Sequence, residues 1–143
     1  MKRTILLIML CGVMIFSVTG CGGSTENYTI NEEYKEYIDL IRNAEGSAYL
    51  GNHTMGELFD NALIDSTWDE YTKELSNGVN EILISVKGTS KFDEGEEIEV
   101  IYRVDTKDME YSYYKMYVNG DTSGGLMSLM KESADDLDSQ NQE

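Results

Sequence analysis

The hydrophobic pattern of this 143-residue chain changes period near its middle. Before Asp65 apolar residues recur at helical spacing, and from Trp68 to Val118 they alternate, as on strands with one buried face. Ile30, Tyr34, Tyr37, Ile38 and Ile41 share one face of a predicted first helix. Asn31 or Thr29 is placed to cap it, Glu32 and Glu33 suit its positive end, and Gly46 is placed to end it. A second helix opens at Thr54, where Glu57 completes a capping box. Met55, Leu58, Phe59 and Ala62 form its buried stripe, which fades near Asp65. A poorly alternating strand then runs from Trp68 to Leu75 and turns at Ser76-Asn77-Gly78. Ile82, Ile84 and Val86 alternate on a strand ending at Gly88, and Ile98, Val100, Tyr102 and Val104 on the next. After a turn at Asp105 to Asp108, Tyr114, Met116 and Val118 face the same core, and Asn119-Gly120 closes the strand. Asn119 to Ser123 reads as a turn that also caps a short helix from Leu126 to Lys131. The expected fold is α+β: two helices followed by a four-stranded antiparallel sheet and a short C-terminal helix, in a two-layer sandwich. It occupies 28–132 as one domain, and the acidic stretch 133–143 is expected to be a disordered tail.

The N-terminal residues predict where the protein resides. Lys2 and Arg3 precede an apolar run from Ile5 to Phe16, shorter than the roughly 20 residues of a membrane-crossing helix, and Val18-Thr19-Gly20-Cys21 follows. These four residues resemble the lipobox of bacterial lipoproteins. That resemblance implies a signal peptide at 1–20, cleavage before Cys21, and a diacylglyceryl group on the Cys21 thiol. The mature chain would then be held on the extracytoplasmic face of the cell membrane. Two acyl chains hold a protein firmly where one does not. The lipidated cysteine and a flexible spacer occupy 21–27, and a six-residue coil spans only about 13 Å. With Cys11 removed and Cys21 lipidated, no intramolecular disulfide is available, so packing alone must hold the fold.

Charge narrows the choice of partner. All 27 acidic residues follow Cys21, whereas Lys2 and Arg3 precede it, so cleavage would change the formal charge from −16 to −18. That charge favours solubility and opposes binding to nucleic acid or to anionic headgroups.

Thr54-Met55-Gly56-Glu57-Leu58-Phe59-Asp60, with Trp68 further on, is similar to a T-x-G-E-x-F-D…W motif. That motif occurs in small uncharacterised domains of secreted and membrane-anchored proteins of Gram-positive bacteria. The likeness extends from about Tyr37 to Met130, including a terminal strand that ends in Asn119-Gly120. The order of helices and strands also resembles one repeat of the β-lactamase-inhibitor-protein fold and the related small outer-membrane assembly lipoproteins. Neither resemblance implies a catalytic residue. Gly56 is expected to permit close helix approach, with Phe59 and Trp68 as core anchors.

Candidate chemistry is sparse. His53 is the only histidine and stands beside no cysteine, so a structural role is expected. The usual nucleophile patterns are missing from the sequence after Cys21. Glu97 and Glu99 share a strand face about 7 Å apart, a separation found in glycosidases, but exposed carboxylates lack the pKa splitting that acid catalysis needs. Asp93-Glu94-Gly95-Glu96-Glu97 is acidic without the ligand spacing of a calcium loop. No metal, cofactor or small-molecule ligand is expected.

Tyrosine is in excess, with ten residues. If Tyr114, Met116 and Val118 face the core, Tyr111, Tyr113 and Tyr117 lie outside, joined there by Leu83 and Ile101. Such a face would be a binding surface for an extracytoplasmic protein. The expectation is therefore a lipid-anchored, non-enzymatic binding module. The alternative is an envelope-maintenance lipoprotein whose sheet contacts cell-wall glycan.

Overall fold

A computed structural model describes residues 28–76 and 78–142. The expected signal run, the Cys21 anchor, the spacer at 22–27 and the turn residue Asn77 lie outside the described residues. The sheet has six strands in the order β1-β2-β3-β4-β5-β6. They are β1 (Tyr28–Ile30), β2 (Leu63–Glu70), β3 (Glu81–Ser90), β4 (Glu97–Asp105), β5 (Glu110–Val118) and β6 (Asp121–Ser123). Three helices accompany them: α1 (Lys35–Arg42), α2 (Met55–Ala62) and α3 (Leu126–Gln140). The α+β class agrees with expectation, but the sheet is mixed, because β1 runs parallel to β2 while every other pairing is antiparallel.

The core lies between the helices and one sheet face. Ile38 and Ile41 of α1, Leu58, Phe59 and Ala62 of α2, and Leu129 and Met130 of α3 join Trp68, Ile84, Val86, Val100, Val104 and Met116. The Phe59 ring meets Trp68 edge-on at 5.4 Å, so the expected anchors pack directly on each other. The capping box forms as expected: the Thr54 hydroxyl accepts from the Glu57 amide, and the Glu57 carboxylate from the Thr54 amide. A side chain at Gly56 would sit 3.0 Å from the Arg42 carbonyl oxygen, so the missing Cβ lets α1 end against α2.

Several expected boundaries are corrected. Ile30 belongs to β1 rather than to the first helix, because it pairs with Trp68 and the Asn31 amide donates to the Trp68 carbonyl at 2.9 Å. Asn31 then caps a 3₁₀ turn, Glu32–Tyr34, that leads into α1. That helix stops at Arg42, before Gly46. The first long strand begins at Leu63, directly after α2, and ends at Glu70 rather than Leu75. A register shift between Ile64 and Thr67, with Asp65 at φ 52°, absorbs the abrupt change from helix to strand. Pairing with Ile98 and Glu97 carries β3 past Gly88 to Ser90. At the other end Asn119 (φ 51°) and Gly120 (φ 86°) form a two-residue turn into the added strand β6, as a hairpin with both central φ positive requires.

The acidic tail is also corrected, because α3 continues through it to Gln140. Ser133 and Ala134 are buried, and the Ser133 hydroxyl donates to the Leu58 carbonyl at 2.7 Å. Asp136 accepts from Lys91 at 2.8 Å and from Asn61 at 3.1 Å. His53 Nε2 lies 2.8 Å from Asp138, which gives that histidine a structural contact with the same helix. No residue from Asn119 to Ser123 caps α3; its N-cap position is Gly125, whose amide donates to the Ser123 hydroxyl.

Candidate binding surfaces

The tyrosines of β5 do not share one face. Between β4 and β5 the register runs Ile101↔Lys115 and then Tyr102↔Tyr113, so Tyr114 is an extra residue in a bulge. One inserted residue exchanges the two faces beyond it. Met116 packs in the main core and Tyr117 against the outer cluster, as expected. Tyr111 and Tyr113 instead turn to the helix side, where their rings meet Tyr102 at 5.8 and 6.4 Å. Tyr114, expected in the core, moves to the outer face with Lys115. The five candidate residues therefore divide by sheet face: Tyr117, Leu83 and Ile101 on the face away from the helices, and Tyr111 and the largely exposed Tyr113 on the helix side.

The outer face is closed by its own chain. Leu83 (3 % exposed) and Ile101 (0 %) lie beneath Tyr71 (7 %), flanked by Tyr114 and Tyr117. The segment after β2 is held by the Tyr71 amide, which donates to the Leu83 carbonyl at 2.8 Å. Glu74 then accepts from the Tyr114 hydroxyl at 2.7 Å, from Lys115 at 2.8 Å and from the Tyr117 hydroxyl at 3.3 Å. The Lys115 ammonium, followed by the Tyr114 hydroxyl, holds the Glu74 carboxyl below its usual range. Burial, and then the bond with Tyr117, push the Tyr71 hydroxyl up to about 12. Around this cap Lys87 pairs with Glu97 at 2.7 Å and Lys73 with Glu99 at 3.6 Å. Both acids of the glycosidase-like pair thus face lysines. Ile101 is fully buried, so a ligand could reach it only by displacing the residues around Tyr71, whereas Leu83 also borders a small cavity of about 170 Å³ beside Tyr71 and Glu74.

A roomier concavity than any space beside Tyr71 lies between α1 and the β4–β5 turn. It encloses about 700 Å³ and is lined by Glu36, Asp39, Leu40, Asn43, Ala44, Met109, Glu110 and Tyr111. Glu36, Leu40 and Asn43 follow one another at helical spacing, so a single stripe of α1 and its exit builds one wall. The opposite wall is the turn. The Asp105 carboxylate accepts from the amides of Lys107 (2.8 Å) and Asp108 (3.0 Å), which fixes the turn and leaves Met109 at φ 53°. Asp65 and Asn119, the other non-glycine residues with positive φ among the described residues, are of types that tolerate this region, whereas a methionine there is strained. Asp39 is paired with Lys35 at 2.9 Å. Glu36 and Glu110 have no ion-pair partner among the described residues. Tyr113, 45 % exposed, extends the tyrosine face beyond Tyr111.

Nothing in the sequence pattern marks Leu40, Ala44 and Met109 as parts of one site. Leu40 and Ala44, four apart, are a second apolar stripe beside Ile38 and Ile41, but nothing local connects them with Met109. Among the described residues no group of three or more His, Cys, Asp or Glu side chains is arranged to hold a metal ion. No helix among them is long and apolar enough to cross a membrane. No family model, curated protein or solved structure matches this chain.

Proposed function

We propose that this protein is a lipid-anchored module on the extracytoplasmic face of a membrane and acts by binding a protein partner, without catalysis. The groove between α1 and the β4–β5 turn supports this reading most. It combines an apolar lining (Leu40, Ala44, Met109 and Tyr111) with an acidic rim (Glu36, Asp39 and Glu110). Its volume falls within the roughly 300–1,000 Å³ of ordinary binding pockets. Strain at Met109 adds weight: asparagine or glycine would fit φ 53° better, so the methionine side chain has a use that offsets its backbone cost. The Val18-Thr19-Gly20-Cys21 sequence supports the anchor. On a short spacer, repulsion between an anionic membrane and a body of charge near −18 would turn the domain outward.

The test separates anchor from groove. Metabolic labelling with a fatty acid is expected to mark the wild-type chain and not Cys21→Ser. Quantitative pull-down from solubilised envelopes is then compared between wild type and Met109→Asn, a change that suits the backbone and removes the apolar wall. A partner enriched by wild type and lost from a normally folded Met109→Asn is the expected result. Equal recovery by both would place the binding surface elsewhere.

A further inference from the structure

Resting on that reading of the groove, we infer that its occupant is a cationic amphipathic peptide segment. Apolar side chains on one face of such a segment would lie on Leu40, Ala44, Met109 and Tyr111, with lysines or arginines against Glu36 and Glu110. Three observations converge on this chemistry. The lining is apolar where α1 faces the turn, which suits the apolar stripe of a helix laid in a groove. Methionine adapts to varied apolar partners. The rim is wholly acidic in its charged residues, and two of its three carboxylates lack an ion-pair partner among the described residues. An anionic or neutral segment would leave these carboxylates uncompensated, and an anionic one would be repelled by a chain of charge −16. A cationic segment is attracted before contact, which raises its association rate in a salt-dependent way.

The test uses the full chain in phosphatidylcholine nanodiscs, with empty nanodiscs as reference. The probe is a peptide of about 14 residues with leucines at helical spacing and lysines elsewhere, one leucine being photoactivatable. Controls are the same composition in scrambled order, and the ordered peptide with glutamate in place of lysine. Mass spectrometry maps the adducts. The expected result is labelling of Leu40, Met109 and Tyr111 by the ordered lysine peptide and by neither control. Glu36→Gln with Glu110→Gln should lower that labelling about three- to tenfold, as two exposed ion pairs would. Glu94→Gln with Glu96→Gln, on the acidic loop, should leave it unchanged. Equal loss in the loop variant, or equal labelling of the groove by the glutamate peptide, would overturn the cationic assignment and leave the groove reading standing. Absence of groove labelling by all three peptides would overturn both.

Discussion

Arg42 joins three elements, and its pair with Asp60 allows a quantitative test of the packing that forms the groove wall. The guanidinium donates through two nitrogens to both carboxylate oxygens of Asp60, at 2.8 and 2.7 Å. It also lies 3.7 Å above the Tyr28 ring and 5.4 Å from that of Trp68. The two side chains are 12 % and 29 % exposed, so the pair lies between a surface bridge and a buried one. Exposed pairs contribute up to about 1 kcal/mol, whereas removing one partner of a buried pair costs about 3–5 kcal/mol. Asp60→Asn is therefore expected to cost about 1.5–3 kcal/mol, since it strands a guanidinium that is mostly out of water. Arg42→Lys should cost a similar amount, because an ammonium supplies neither the two-point fork nor the same stacking. For a domain of this size the loss corresponds to a melting shift of about 3–6 °C per kcal/mol. Thermal melts of wild type, Arg42→Met, Asp60→Asn and the double variant form a cycle whose coupling should reach about 1–2 kcal/mol. A coupling below about 0.3 kcal/mol would mean that this pair does not hold the end of α1.

Phe59→Ala should cost about 3–5 kcal/mol by removing a fully buried ring from beside Trp68, read by denaturant melts. Ser133→Ala should cost about 1 kcal/mol through loss of its bond to the Leu58 carbonyl, and a chain stopped after Glu132 should lose more; unchanged melts would mean that the tail is not packed. Glu74, whose folded pKa is depressed, adds stability that is present above the ordinary carboxylate range and is lost as pH falls through that range and below it. Melts recorded against pH should therefore show a shallower acid limb for Glu74→Gln than for wild type, and parallel limbs would exclude the proposed cap on the outer face.

The sequence pattern was most informative where neighbouring residues settle the structure. The capping box at Thr54, the alternation of Ile82 to Val86 and of Ile98 to Val104, and the Asn119-Gly120 turn were all legible there. Strand β1 was not, because Ile30 continues the helical stripe of Tyr34 and Ile38, and only its distant partner Trp68 draws it into the sheet. The bulge at Tyr114 was hidden because the run from Tyr111 to Val118 has large side chains in both registers, so either face could pass for the buried one. The full length of α3 left a weak trace. Leu137 extends the stripe of Met130 and Ala134, but the acids around it read as a solvated tail, and only the distant Lys91 and Asn61, which meet Asp136, tie that stretch to the body. The groove was illegible, because it forms only when one α1 stripe meets the turn at Met109.

Site-specific photocrosslinking in living cells tests the binding claim most directly. A photoreactive amino acid at Met109, in the groove wall, is compared with one at Glu94, on the acidic loop, in the anchored protein. A groove that holds a partner should give a discrete adduct from position 109 that position 94 does not form, reduced when Glu36 and Glu110 are made glutamine. The same adducts from both positions, or one from position 94 alone, would contradict binding there.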